Sequence, residues 1–264
     1  MKSDSRSHLF SPTPKAPKTD LTALPQSSWM RARISEQVNL HLHPGAQVLE
    51  LGCREEGDTS WLASEQTRLI TTDASHEHLA SAQANARSSD RHAFVQALPP
   101  YLQCFTAETF DLIFSHVGSL DSIEDLSPTF AEIHRVLRPG GSAILCFVNR
   151  FSLWETLNCV RRFEFRKAIR RWRNTGALVI PGARYPLAWY HSIGSLRLLT
   201  QSHFQWRNLT GLGIVSPLVY LLPRFLRRSL LVRLLERTEN AFSTLPPFSS
   251  WGDHYMIVLK KRPS

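Results

Sequence analysis

The sequence predicts an α/β fold built on a doubly wound, mostly parallel sheet. Short apolar runs alternate with amphipathic segments of helical period between residues 26 and 148. The last of these runs, Ser142–Val148, is apolar nearly throughout, which is typical of a strand buried on both faces of a parallel sheet. Helices between successive strands at this spacing are the crossover connections that parallel strands need.

Each predicted helix has apolar residues three or four apart, and each predicted strand is a short apolar run between turn residues. Pro44-Gly45 ends the first helix, and Arg138-Pro139-Gly140-Gly141 ends the helix before the fifth strand. In chain order we expect helix 26–41, strand 47–51, a helix from residue 59, strand 68–72, helix 75–87, strand 94–97, strand 110–115, helix 126–137 and strand 142–148.

Beyond residue 149 the alternation stops and the chain becomes more basic. We expect helix 151–173, helix 195–202, strand 204–209, helix 224–242 and strand 255–260. Because this half does not repeat the first, it should complete the sheet and add a cap over about 150–203 and 212–242. Residues 1–24 lack periodicity and predict a flexible tail, so that 25–264 form one domain.

The composition limits the possible partners and locations. A net charge of +9 and a pI near 9.8 favour an acidic partner, which could be nucleic acid, anionic lipid or an acidic small molecule. The four cysteines form no CxxC pair, so neither a metal site nor a disulfide scaffold is indicated. Without a secretory h-region or an apolar run of about 20 residues, we expect a cytoplasmic protein, either free or peripheral to a membrane.

The carboxyl ends of the parallel strands are where a ligand is expected in such a fold. Four stretches follow these ends: Glu50–Asp58, Asp73-Ala74, Gln96–Leu98 and Ser115-His116. A carboxylate can accept hydrogen bonds from both hydroxyls of a ribose. This is the role predicted for Asp73, although an Asp after a strand can also simply cap a helix.

Four stretches of the sequence carry a family resemblance: QVLELGC, LITTDAS, FDLIFSHVGSLDSIEDL and EIHRVLRPGGSAILCF. In order and spacing they resemble the successive motifs of class I S-adenosylmethionine-dependent methyltransferases, over about Trp29–Val148. The resemblance implies a seven-stranded Rossmann-like sheet whose last strand is antiparallel. It also implies S-adenosylmethionine as cofactor and methyl transfer to a small-molecule acceptor.

The resemblance also implies roles for single residues. Glu50 and Gly52 would hold the methionine portion of the cofactor, and Asp73 its ribose. Ala74, Gln96 and Ala97 would lie beside the adenine. The other cofactor-site candidates are Cys53, Arg54 and Ser115.

The turn after the first strand departs from the family's G-x-G-x-G pattern, which falls here on Gly52, Arg54 and Glu56. A residue other than Gly in a left-handed conformation costs about 1 kcal/mol, which a fold can absorb. In one interpretation the turn is redrawn and the Arg54 guanidinium meets the cofactor carboxylate. In the other it is a solvated turn over an empty site, and the protein is a non-catalytic binding or scaffold protein.

Methyl transfer from a sulfonium needs proximity and orientation more than a nucleophilic triad, and no triad is visible. A hydroxyl acceptor would also need a general base, for which histidine is suited. The candidates are His116, His191 and His254, each of which could instead be a strand-end or capping histidine. Tyr190 is a further catalytic candidate, which could instead belong to the core or to the pocket wall. The acceptor is expected between Ser115-His116 and the cap.

The basic helices 151–173 and 224–242 allow three interpretations. Their arginines could solvate a lid. Alternatively, apolar residues under the arginines, among them Trp154, Leu157 and Phe163, could form an interfacial helix on an anionic membrane that supplies a lipid-like acceptor. Nucleic-acid binding is the least favoured because no recognition motif accompanies the charge.

Overall fold

Strands and helices alternate through the first half of the chain, as the sequence predicts. The computed structural model describes residues 28–53, 67–86, 89–165, 178–179, 187–214 and 237–263. In chain order the elements are α1 (Ser28–Asn39), β1 (Ala46–Leu51), β2 (Thr67–Asp73), α2 (His76–Asn85), β3 (His92–Gln96), β4 (Phe110–Ser115), α3 (Ser127–Val136), β5 (Leu137–Val148), α4 (Leu153–Arg161), β6 (Leu178–Val179), β7 (Leu187–Ala188), α5 (Ile193–Thr200), β8 (Phe204–Leu212), a 3₁₀ helix (Phe248–Ser250) and β9 (His254–Lys261).

The main sheet has seven strands in the order β3-β2-β1-β4-β5-β9-β8. The first five are parallel, whereas β9 is antiparallel to both β5 and β8. The predicted fold class, a mostly parallel sheet of seven strands with an antiparallel last strand, is therefore confirmed. Strand order reverses at β1, which has β2 on one side and β4 on the other.

The central strands of the sheet are buried on both faces. On one face Val48 and Leu112 pack with Ile34 and Val38 of α1. On the other, the neighbouring strand residue Leu49 joins a cluster that includes residues of α3. Successive side chains of a strand point to opposite faces, so β1 must be apolar at nearly every position. Among its buried positions the exception is Glu50, whose carboxylate needs specific partners.

Several predicted boundaries differ from the structure, and two of the differences are large. β5 begins at Leu137 rather than Ser142, because the Pro-Gly-Gly segment continues as extended chain. A Cβ on Gly141 would lie 3.0 Å from the carbonyl oxygen of Asp111, so glycine permits this close approach to β4. The predicted helix 151–173 is interrupted after Arg161, where Phe163 has a φ of 58°, and its part beyond residue 165 lies outside the described residues.

Much of the predicted cap and the tail lies outside the described residues. Of the predicted helix 224–242, the structure describes only the end, and residues 237–242 are helical. Within the described part of the chain, no helix has the length and apolarity needed to cross a membrane.

Candidate functional site

Two carboxylates lie side by side at the carboxyl ends of β1 and β2. The parallel register sets Glu50 opposite Thr71 and Leu51 opposite Thr72, so Asp73 follows directly beside the end of β1. Glu50 and Asp73 are both fully buried. A buried carboxylate is stable only with hydrogen-bond or charged partners, which the neighbouring strands provide.

The Glu50 carboxylate is held from two sides. Thr71 Oγ1 donates to Glu50 Oε2 over 2.7 Å, and His116 Nε2 lies 3.1 Å from Glu50 Oε1. His92 Nε2 in turn lies 2.9 Å from Thr71 Oγ1. Since the single hydroxyl hydrogen of Thr71 goes to Glu50, the ring of His92 must donate to Thr71 through Nε2. Burial lowers the pKa of His92, which fits a neutral ring in this role.

The Asp73 carboxylate is enclosed by groups of the chain itself. Its Oδ1 accepts from the Ser75 backbone N–H at 2.9 Å and lies 3.2 Å from His78 Nδ1. Its Oδ2 accepts from the backbone N–H of Cys53 at 3.2 Å and from the Cys53 thiol at 3.5 Å. Asp73 therefore links the turn after β1 to the start of α2.

Gly52 allows this turn to lie against the loop that follows β4. Its φ is 80°, and its N–H donates to the Thr72 carbonyl over 2.8 Å. A Cβ built on Gly52 would overlap the side chain of Ser119, with the two Cβ atoms 2.6 Å apart. Both the backbone conformation and the contact with Ser119 require glycine here. The next residues, 54–66, which include Arg54 and Glu56, lie outside the described residues.

The residues expected beside the adenine come together at the ends of β2 and β3. Ala74 and Gln96 are exposed, and Gln96 Nε2 donates to the Ala74 carbonyl over 2.9 Å. Ala97 is half-buried, and its N–H donates to the Asp73 carbonyl over 3.1 Å. They form a small ledge next to Asp73.

The end of β4 is buried. Ser115 is fully enclosed and its Oγ accepts from the Cys146 N–H at 3.4 Å. His116 is 6% exposed and lies against Glu50, at the carboxyl end of the sheet.

The segment 189–193, by contrast, packs beside the loop after β4. The Trp189 N–H donates to the Asp121 carbonyl over 2.7 Å, and His191 Nε2 donates to the Ile123 carbonyl over 2.9 Å. Tyr255 Oη donates to the backbone carbonyl of His191 over 2.9 Å. Tyr190 is half-buried between these anchored residues. His254 Nδ1 lies 3.4 Å from the Asp253 carboxylate.

A neutral imidazole is favoured at His191. Burial lowers its pKa, and the hydrogen bond to Ile123 opposes this only in part. Since Nε2 carries the hydrogen given to Ile123, Nδ1 is the basic nitrogen of the neutral ring.

Sequence reasoning did not identify Thr71, His78, Ser119 or Asp121 as parts of the site. Thr71 reaches Glu50 through the register between two strands, which neither strand encodes alone. The position of His78 could have been foreseen, because the N-cap Ser75 sets the first turn of α2 above Asp73. Asp121 accepts from the Gly118 and Val148 N–H groups and ties the β4 loop to β5.

Comparisons with known proteins fit this geometry. Residues 49–145 match the family described as a methyltransferase domain. An uncharacterised methyltransferase of Synechocystis is 32% identical over 117 residues, which are 44% of this chain and 53% of that protein. The part of the chain that matches, residues 49–145, is thus similar to a methyltransferase domain. The aligned part of this chain spans about half the length of the Synechocystis protein.

Solved structures of a methyltransferase and of a cyclase show the same fold. An S-adenosylmethionine-dependent methyltransferase of Methanosarcina mazei is 17% identical with a TM-score of 0.57, over 86% of this chain and 98% of that one. The cyclase SpnF is 16% identical with a TM-score of 0.55, over 88% of this chain and 81% of that one. The resemblance found in the sequence is thus confirmed for residues 49–145 by the domain match and for the fold by the solved structures, and S-adenosylmethionine is the cofactor that this likeness implies.

Gly52→Ala tests the contact that brings the β1 turn against the β4 loop. The matched control is Gly118→Ala, because Gly118 has a φ of 94° and a Cβ there would meet nothing within 4 Å. Gly118→Ala should lower the free energy of unfolding by about 1 kcal/mol, the cost of the left-handed conformation. Gly52→Ala should cost about 1–3 kcal/mol more, because it also overpacks against Ser119.

Urea denaturation measures both changes. The double variant Gly52→Ala/Ser119→Gly should recover the excess loss. Equal losses at the two glycines would mean that the overlap with Ser119 does not matter.

Proposed function

We propose that this protein transfers a methyl group from S-adenosylmethionine to a small-molecule acceptor. One observation carries the proposal: Glu50 and Asp73 are buried carboxylates at the ends of adjacent parallel strands, where the strand order reverses. This is the position at which open α/β sheets bind nucleotides. Two carboxylates also suit a ligand with a ribose diol, an ammonium group and a sulfonium charge.

The described residues fit the cofactor by the chemistry of their donors and acceptors. Two of the contacts to Asp73, from the Cys53 thiol at 3.5 Å and His78 at 3.2 Å, are longer than the 2.9 Å bond from Ser75. Ribose hydroxyls would replace these two contacts, since hydroxyl–carboxylate bonds are short and charge-assisted. Glu50, fixed by Thr71 and His116, would hold the methionine portion. The ledge of Ala74, Gln96 and Ala97 would lie beside the adenine, and Arg54 remains a predicted partner of the cofactor carboxylate.

The chemistry supplied by bound S-adenosylmethionine is a methyl group on a sulfonium, already activated for in-line displacement. The chain itself must orient the acceptor, exclude water and remove a proton where the acceptor is a hydroxyl. The buried end of β4 excludes water on the cofactor side, through Ser115 and His116. His116, through its contact with Glu50, acts as a positioning residue.

His191 is the general base in this proposal. Its ring is fixed through Nε2 to the Ile123 carbonyl, and its lowered pKa keeps Nδ1 unprotonated near neutral pH. Anchors on both sides, the Trp189 N–H to Asp121 and Tyr255 Oη to the His191 carbonyl, fix its backbone. Tyr190 would contribute to the acceptor wall beside it.

A non-catalytic or differently catalytic protein is the competing function. The fold alone does not fix the reaction, since the cyclase SpnF shares it. The altered glycine positions at Arg54 and Glu56 favour this alternative. A measurement of cofactor binding distinguishes methyl transfer from a protein that has lost the cofactor.

A second part of the proposal is that the acceptor is lipid-like and is taken from an anionic membrane. The end of α4 and the residues after it expose apolar side chains next to Arg161 and Arg162. The exposed fractions are 48% for Leu157, 44% for Val160, 82% for Phe163 and 57% for Phe165. Apolar side chains beside arginines suit the interface of an anionic membrane.

Titration calorimetry with S-adenosylhomocysteine tests the cofactor site. Asp73→Asn should weaken binding about tenfold to hundredfold, because hydrogen bonds to a charged group contribute about 1.5–3 kcal/mol. Asp125→Asn is the matched control and should bind like the wild type, because Asp125 is an exposed residue that contacts the N–H of Ser127. Absence of binding by folded wild-type protein would reject methyl transfer.

Nitrogen NMR of the histidine rings tests the proposed base. At pH 7, His191 should be neutral with hydrogen on Nε2, and its signal should titrate below pH 6.5, because burial disfavours the cation. His191→Gln assigns the signal, and His43→Gln, at the opposite edge of the sheet, should leave it in place. A charged ring at pH 7, or hydrogen on Nδ1, would remove His191 as the base.

Co-sedimentation with vesicles tests the membrane part. Wild-type protein should bind phosphatidylglycerol vesicles more than phosphatidylcholine vesicles, and high salt should reduce the binding. Phe163→Ser should reduce it, because the ring inserts among the lipids. Leu40→Ser is the control, since Leu40 is 70% exposed but follows α1 at the other edge of the sheet. Equal loss in both variants, or no binding at low salt, would exclude this membrane surface.

A further inference from the structure

A cleft of about 670 Å³ opens beyond the carboxyl end of β5. Its walls are formed by residues 149–151, by Ser192 and Ile193 at the start of α5, and by Ser250 and Trp251. β5 is parallel to β4 and β1, so its carboxyl end lies at the same edge of the sheet as Glu50 and Asp73. His254 of β9 pairs with Val148 at that end of β5, which brings the preceding residues Ser250 and Trp251 to the same edge. The volume lies within the range of small-molecule sites, about 300–1,000 Å³.

We propose that this cleft binds the methyl acceptor as an anion with an apolar body, which Arg150 recognises through a carboxylate or phosphate. The proposal rests on the methyl-transfer function above and adds the class of substrate.

The polar side chains of the cleft, apart from Arg150, hold its walls together. Asn149 Nδ2 donates to the carbonyls of Ser250 and Gly252 over 2.7 and 2.8 Å, and its Oδ1 accepts from the Phe151 N–H. Ser192 Oγ accepts from the Ser195 N–H as the N-cap of α5. Ser250 Oγ donates to the Pro247 carbonyl over 2.6 Å. These bonds form a rigid frame, and the charge in the lining comes from Arg150.

Three features favour an anion. The guanidinium of Arg150 has five N–H donors, so it can bind a carboxylate in addition to a partner within the chain. The cleft also touches the starts of two helices, with Phe151 just before α4 and Ser192 before α5. Helix N-termini carry partial positive charge. The nearby Asp253 carboxylate lies 3.4 Å from His254 Nδ1, so it has a neighbour of its own within the chain.

The remaining walls suit an apolar body. Phe151 and Trp251 are half-buried and line the cleft together with Ile193. The Trp251 ring packs edge-on to Phe248 at 5.2 Å between centroids, which fixes its orientation. Aromatic rings that are fixed in place bind flat apolar groups well. Since Ser192 and Ile193 directly follow His191, part of the cleft wall and the proposed base belong to one segment of the chain.

The test compares 2-naphthoate with its neutral isostere 2-naphthamide by ligand-observed NMR titration. Wild-type protein should bind the acid about tenfold more tightly than the amide, as expected for a charge-assisted Arg–carboxylate pair. Arg150→Gln should remove this preference, and Arg150→Lys should keep part of it. Arg68→Gln is the charge-matched control, because Arg68 is exposed on β2 away from the cleft, and should keep the full preference. Equal binding of acid and amide by the wild type, an unchanged preference in Arg150→Gln, or no binding of the acid at millimolar concentration would overturn the proposal.

Parallel titration with S-adenosylhomocysteine separates the two proposals. Arg150-dependent binding of 2-naphthoate without cofactor binding would support the anion site and reject methyl transfer. Cofactor binding without an acid preference would reject the anion site alone. Displacement of 2-naphthoate by phosphatidylglycerol vesicles supports the proposal with a lipid headgroup as the anion, and lack of displacement supports it with a soluble acid.

Discussion

The pairing of β1 with β2 on one side and β4 on the other is the constraint on which the rest of the structure depends. It reverses the strand order at β1 and sets Glu50 opposite Thr71. Glu50 is thereby buried in a mostly apolar strand, where Thr71 from β2 donates to its carboxylate and His116 Nε2 from the end of β4 lies 3.1 Å away. One polar residue in the centre of the sheet thus fixes three strand ends relative to one another, and these ends form the proposed cofactor site.

The histidines divide between the two sides of this site. His116 and His92 belong to the polar network around Glu50, whereas His191 is fixed by backbone groups in the segment 189–193. Asp121 connects the two sides, because its carboxylate accepts from the Val148 N–H while its carbonyl accepts from the Trp189 N–H. In the proposed function, cofactor and acceptor sites are therefore joined through short hydrogen bonds rather than through a flexible linker.

The parallel half of the fold could be predicted from the sequence because its signals are local. Strand 110–115 is an apolar run between turn residues and has those bounds in the structure. Glu50 and Asp73 could be located by their place after apolar runs, but their partners depend on register and loop contacts between distant residues. The early start of β5 was missed because Pro-Gly-Gly is a turn signal by itself, and only the approach to Asp111 makes it extended. Likewise, the cleft at Arg150 combines residues about 100 positions apart, such as Asn149 and Trp251.

A crystal structure of the protein with S-adenosylhomocysteine tests the central claim most directly. The account predicts both ribose hydroxyls within about 3 Å of Asp73, a hydrogen-bond distance, with the longer contacts from Cys53 and His78 replaced. It also predicts the methionine portion of the ligand near Glu50. A ligand bound elsewhere, with Asp73 still enclosed by Cys53, Ser75 and His78, would contradict it.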